Sequence, residues 1–101
     1  MLVTLHGDAK EAKSNLEGHY ILQTDPVNEK PCWFHEGGHA IWAREVGGWR
    51  IGPKENLGNY TCEICSQDDV EDPLQALTWE YYGSNDWIKS KDILITTAGN
   101  I

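Results

Sequence analysis

Hydrophobic and polar positions alternate most clearly between residues 31 and 52, PCWFHEGGHAIWAREVGGWRIG. Short aromatic and apolar runs are broken twice by Gly-Gly, and this alternation reads as strand, turn, strand, turn, strand. The pattern places strands at 32–35, 39–44 and 49–51. In the third, Trp49 and Ile51 share a face and Arg50 points away. Trp33 and His35 fall on the face opposite Cys32 and Phe34. The rest of the chain is expected to cover the apolar face of this meander.

The same alternation continues on both sides. Residues 2–6 form a short strand, and 19–24 (HYILQT) a second, with Tyr20 and Leu22 on one face. Between them GDAKEAKSNLEG is polar and rich in Ala, Lys and Glu. It reads as one short helix or a linker, and at about three turns such a helix is marginal alone. Residues 25–31 hold two prolines with Asp and Asn, a turn composition. Residues 59–64 (NYTCEI) put Tyr60, Cys62 and Ile64 on one face, with Thr61 and Glu63 opposite. Residues 74–77 allow one helical turn. The strand 78–82 pairs Trp79 with Tyr81 and turns Tyr82 away. After the turn 83–86 come 87–88 and 92–96. About seven short strands separated by turn signals predict an all-β fold, a small antiparallel meander forming a sandwich, roll or barrel. The chain divides into an N-terminal strand, linker or short helix over 1–17 and a Trp-rich β domain over 18–101.

Composition narrows the functional classes. In 101 residues there are five Trp and four Tyr but one Met, so much of the core is aromatic. The formal net charge of −8 argues against nucleic-acid backbones and anionic membrane surfaces, which require clustered Lys and Arg. No apolar run approaches the ~20 residues of a membrane-spanning helix, and the first residues show no signal-peptide pattern. Three cysteines, an odd number, fit free thiols better than a stapled scaffold.

Four local patterns invite chemistry. His35-Glu36-Gly37-Gly38-His39 matches the H-E-x-x-H of zinc proteases, in which two His one helical turn apart share a metal. Two central glycines and strand-forming flanks favour a hairpin instead. His35 and His39 with Cys62 and Cys65 have the ligand count of a Cys₂His₂ zinc domain, but a continuous strand would point the two cysteines to opposite faces. A thioredoxin-type redox reading of Cys62 and Cys65 needs a helix N-terminus, and no helix pattern follows. The run Asp68, Asp69, Glu71, Asp72 offers oxygen ligands for Ca²⁺ but lacks the EF-hand glycine and terminal Glu, so a solvated loop is the simpler expectation. Asn59-Tyr60-Thr61 is an N-glycosylation sequon, relevant only to a secreted protein.

The aromatic set is the strongest functional signal. Trp33, Trp42, Trp49, Trp79, Tyr81, Tyr82 and Trp87 are expected on both faces of the sheet. The order N-x-K-P-x-W, I-W, G-W-x-I-G-P, a Tyr strand, an acidic loop with D-P, then W-x-x-Y…W resembles a small Trp-rich β-module that recurs in large multidomain eukaryotic proteins. The matching positions run from Asn28, Lys30, Pro31 and Trp33 through Ile41, Trp42, Gly48, Trp49, Ile51, Gly52, Pro53 and Tyr60 to Asp72, Pro73, Trp79, Tyr82 and Trp87, within residues 18–95. The resemblance implies an accessory or interaction module and carries no catalytic residue across.

With no nucleophile–base pair, phosphate loop or credible catalytic metal, the sequence predicts no enzymatic activity, no cofactor and no metal. The leading expectation is a non-catalytic module binding a protein or peptide through exposed aromatics. A carbohydrate-binding module is the alternative, and the Cys₂His₂ zinc domain a second. The expected binding residues are Tyr82, Asn85, Asp86 and Trp87, at the turn where aromatics flank polar groups. The acidic stretch 67–72 is expected at the opposite end of the same strand, where it would suit a basic partner.

Overall fold

The computed structural model describes residues 1–59 and 61–97. It holds ten short strands in two antiparallel sheets: β1 (Leu2–Leu5), β2 (Gly18–His19), β3 (Ile21–Leu22), β4 (Trp33–His35), β5 (His39–Ala43), β6 (Trp49–Pro53), β7 (Ile64–Ser66), β8 (Trp79–Tyr82), β9 (Trp87–Ser90) and β10 (Ile93–Thr96). Strands β3 to β9 form a seven-stranded sheet in sequence order, and β10-β1-β2 form a smaller one. The fold is all-β and is not a closed barrel. Helix α1 (Gly7–Lys13) and a 3₁₀ turn (Ser14–Leu16) link β1 to β2 and bury Ala9 and Leu16.

The predicted meander is present as β4-β5-β6. Glycine breaks close both hairpins, pairing His35 with His39 and Ala43 with Trp49. Gly48 is obligatory at the second turn. Its φ is +90°, and a Cβ there would lie 2.5 Å from the Ser66 carbonyl oxygen. Between β3 and β4, Asn28 and Glu29 both have positive φ inside the Val27–Lys30 bridge, as a type I′ turn requires, and the Asn28 amide donates to the Ala43 carbonyl at 2.8 Å.

Aromatics do occupy both faces of the large sheet. The inner face carries Trp33, Ile41, Ala43, Trp49, Ile51, Ile64, Trp79 and Tyr81. It packs against Val3, Leu5, Ala9, Leu16, Tyr20 and Ile93 from the smaller sheet and its helical link. The outer face gathers a second cluster of Cys32, Ala40, Trp42, Cys62 and Cys65, partly covered by Val27, Phe34, Leu57 and Trp87. The smaller sheet depends on the chain's first strand: β1 is its centre, with Leu2–Leu5 paired to Ile93–Thr96 on one side and to Gly18–His19 on the other.

Two sequence expectations are corrected. The strand expected at 19–24 is split at Tyr20, and its halves belong to different sheets. Tyr20 is the pivot: its N–H donates to the Met1 carbonyl at 2.7 Å, its hydroxyl to the Leu16 carbonyl at 2.6 Å, and its ring is buried. Leu22, expected to share its face, is 60% exposed on edge strand β3. The strand expected at 59–64 is instead β7 at Ile64–Ser66, with Thr61–Glu63 irregular; Tyr60, and with it the centre of the sequon, lies outside the described residues.

Candidate functional site

The predicted aromatic end is built by the β8–β9 hairpin. Register pairs Tyr82 directly with Trp87, on the outer face, and their ring centroids stand 5.4 Å apart at 67°. This edge-to-face contact is a favoured geometry for aromatic rings. The turn between them is closed by Gly83 N–H donating to the Asp86 carbonyl at 2.8 Å and by Trp87 N–H donating to Asp86 Oδ1 at 2.7 Å. Asp86 therefore shapes the turn, and Asn85 projects from it into solvent. Tyr82 is 42% exposed, while Trp87 is half-buried against the outer-face cluster. The four predicted residues are thus together, as a pair of rings above a polar turn.

The structure adds what the sequence did not show. Strand β9 is the last of its sheet, so its outer backbone edge has no strand partner among the described residues. On the inner side of the hairpin Ile88 is also 42% exposed and borders a groove of about 380 Å³ with Ala12, Lys13, Tyr81, Tyr82, Gly83 and Ser84. Ala12 and Lys13 come from α1, about seventy positions away, and no local pattern could have placed them there.

The acidic stretch is at the opposite end of β8, as expected, and much of it is structural. Asp68 Oδ2 accepts hydrogen bonds from Leu77 N–H (2.7 Å) and Thr78 N–H (2.9 Å), and these hold its carboxyl below the usual range. Asp72 Oδ1 accepts from Leu74 N–H at 2.8 Å and caps the 3₁₀ turn Pro73–Gln75. The Val70 carbonyl accepts from Trp49 Nε1 at 3.0 Å, which fastens the loop to the core.

The histidines and cysteines separate. His35 and His39 are cross-strand neighbours in a hairpin, with rings 5.8 Å apart, not residues one helical turn apart. His35 Nδ1 accepts from Gly37 N–H, and its ring packs at a 38° tilt against Tyr20, on the inner side. Burial, followed by repulsion from His35, lowers the His39 pKa, against an opposing pull from Glu63. Cys62 and Cys65 lie on the outer side, so the four candidate ligands of a Cys₂His₂ site do not converge. Among the described residues no three His, Cys, Asp or Glu side chains are grouped to hold a metal ion. The irregular backbone at 61–63 does bring both cysteines to one face, contrary to the expectation for a continuous strand. Comparison with family models, curated proteins and solved structures found no match to this chain.

Proposed function

We propose that this domain is a non-catalytic interaction module that takes an extended peptide segment of a protein partner along β9, with Tyr82 and Trp87 as its aromatic anchors. The observation that carries this reading is a ring pair, exposed Tyr82 and half-buried Trp87, spanning β8 and edge strand β9, whose outer edge has no strand partner among the described residues. An edge strand offers a row of backbone donors and acceptors, and pockets on alternate sides then select side chains. Here the Tyr82–Trp87 pair lies on one side of the edge and the Ile88 groove on the other.

The ring geometry favours a peptide over a sugar. Carbohydrate platforms set two or three rings nearly in one plane, whereas these two stand at 67°. A displayed library of random peptides, selected against the folded chain, tests the reading. Selected peptides are expected to lose binding about tenfold or more in Tyr82→Ala, the scale of a hot-spot truncation, and to broaden amide signals of β9 in NMR titration. A glycan array giving saturable binding, with no peptide reaching β9, would refute it.

A further inference from the structure

The outer face of the large sheet buries an arginine without a carboxylate. Arg50 is 5% exposed and is the cross-strand partner of Cys65. Its Nη1 donates to the Trp49 carbonyl at 3.2 Å, while its buried Nε has no protein partner among the described residues. No ion pair reaches it among the described residues. A guanidinium removed from water with an unsatisfied donor is costly, and a nearby group able to carry negative charge would offset that cost. Directly opposite cross-strand side chains stand roughly 4.5–5.5 Å apart at Cβ, so the nearest candidate is the Cys65 sulfur. Cys62, three residues earlier, shares the same buried cluster.

We propose that Cys62 and Cys65 form a redox-active dithiol that is oxidised by a peroxide-class oxidant, Cys65 attacking and Cys62 resolving. In place of a helix N-terminus, the buried cation of Arg50 stands across the strand pair from Cys65. The Cys65 pKa is lowered, first by the neighbouring Cys62 thiol and further by the charges of Arg50 and Arg44, against burial and Glu80. Cys62 is pushed up by the same contact and by burial, so it keeps its proton until needed. Cys65 first gives its proton to solvent. Its thiolate attacks one oxygen of hydrogen peroxide, the O–O bond breaks, and hydroxide leaves and takes up that proton as water. Cys65 is then a sulfenic acid. The Cys62 sulfur attacks Cys65 Sγ, the S–O bond breaks, and hydroxide leaves with the Cys62 proton as a second water. Two thiols and one peroxide thus become one disulfide and two waters; the sulfurs lose two electrons and the peroxide oxygens gain them. Cys62 lies in irregular backbone before β7 and can approach, while Cys65 is held in the strand. Both thiols are nearly buried, Cys62 8% and Cys65 3% exposed, which favours the smallest oxidants over a protein disulfide.

The test is peroxide titration of the reduced, folded chain followed by intact mass and peptide mapping. The expected result is loss of two hydrogen atoms, a bond linking Cys62 to Cys65, and full reversal by dithiothreitol, with Cys32 unmodified. Cys62→Ser is expected to accumulate a dimedone-reactive sulfenic acid at Cys65. Cys65→Ser and Arg50→Gln are each expected to slow thiol loss about tenfold or more, with Arg50→Lys retaining most of the rate. Oxidation of Cys32 first, or a folded Cys62→Ser with no dimedone adduct at Cys65, would overturn the proposal. Where Arg50→Gln fails to fold, the wild-type map and Cys62→Ser decide alone.

Discussion

Trp49 should be the single most costly truncation in the meander. Its side chain is fully buried, it stands 6.0 Å from the Trp33 ring at 54°, and its Nε1 holds the Val70 carbonyl at 3.0 Å. Truncating a buried Trp to Ala costs about 3–5 kcal/mol through lost transfer energy and the residual cavity. Orphaning the Val70 carbonyl adds about 1 kcal/mol. Together these come to about 4–6 kcal/mol, at the low end of the stability of a domain this size, about 5–15 kcal/mol, so Trp49→Ala is expected to show a steeply lowered urea midpoint or, in a marginal domain, to be largely unfolded. Trp49→Phe separates the two contributions. It keeps a ring in the core but drops the donor, and should cost about 1–3 kcal/mol. It should also raise hydrogen exchange in residues 67–72 more than in β5. Urea unfolding monitored by far-UV circular dichroism measures both. If Trp49→Ala loses less than about 2 kcal/mol at an unchanged denaturant slope, the core does not close around Trp49 as described.

Three further outcomes follow from the same contacts. Gly48→Ala should lower stability by about 1–3 kcal/mol or more, and more than Gly38→Ala: both have positive φ, but only at Gly48 would the Cβ meet backbone. Equal changes in melting temperature would contradict the close approach to Ser66. The lowered pKa of His39 means that the unfolded chain takes up a proton as pH falls through about 6.5 while the folded chain does not. Stability should therefore decline below about pH 6.5 and decline less in His39→Gln; identical pH slopes in the two proteins would exclude His39 as the source. Asp68 is depressed, so its contribution is complete above 3.8 and is lost as pH falls through the lower folded value. The stability gap between wild type and Asp68→Ala should shrink below about pH 3.8, and a gap constant with pH would show that the Leu77 and Thr78 hydrogen bonds do not depend on the charge.

Alternation and turn chemistry by themselves determined the centre of this protein. In β4, β5 and β6 successive side chains must face opposite ways, so Trp49 and Ile51 on one face and Arg50 on the other follow from spacing two, and the Gly-Gly pairs can only be turns beside such strands. The Tyr82–Trp87 pairing was legible for the same reason, since a short turn between two aromatic runs leaves few registers. What local pattern does not contain is the choice of non-local partner. Tyr20 reads as an ordinary strand residue, yet hydrogen bonds to Met1 and Leu16 make it the point where the chain changes sheets. Strand β1 finds β10 some ninety residues away, a pairing that no window of ten residues can encode. The approach of α1 to the β8–β9 hairpin is of the same kind. Cys62 and Cys65 share a face only because the backbone is irregular before β7, and Arg50, which spacing alone would send to solvent, is buried on an outer face that carries its own hydrophobic cluster. A residue's direction from its own strand is local; whether that direction leads to water or to another layer is decided by segments that arrive from elsewhere in the chain.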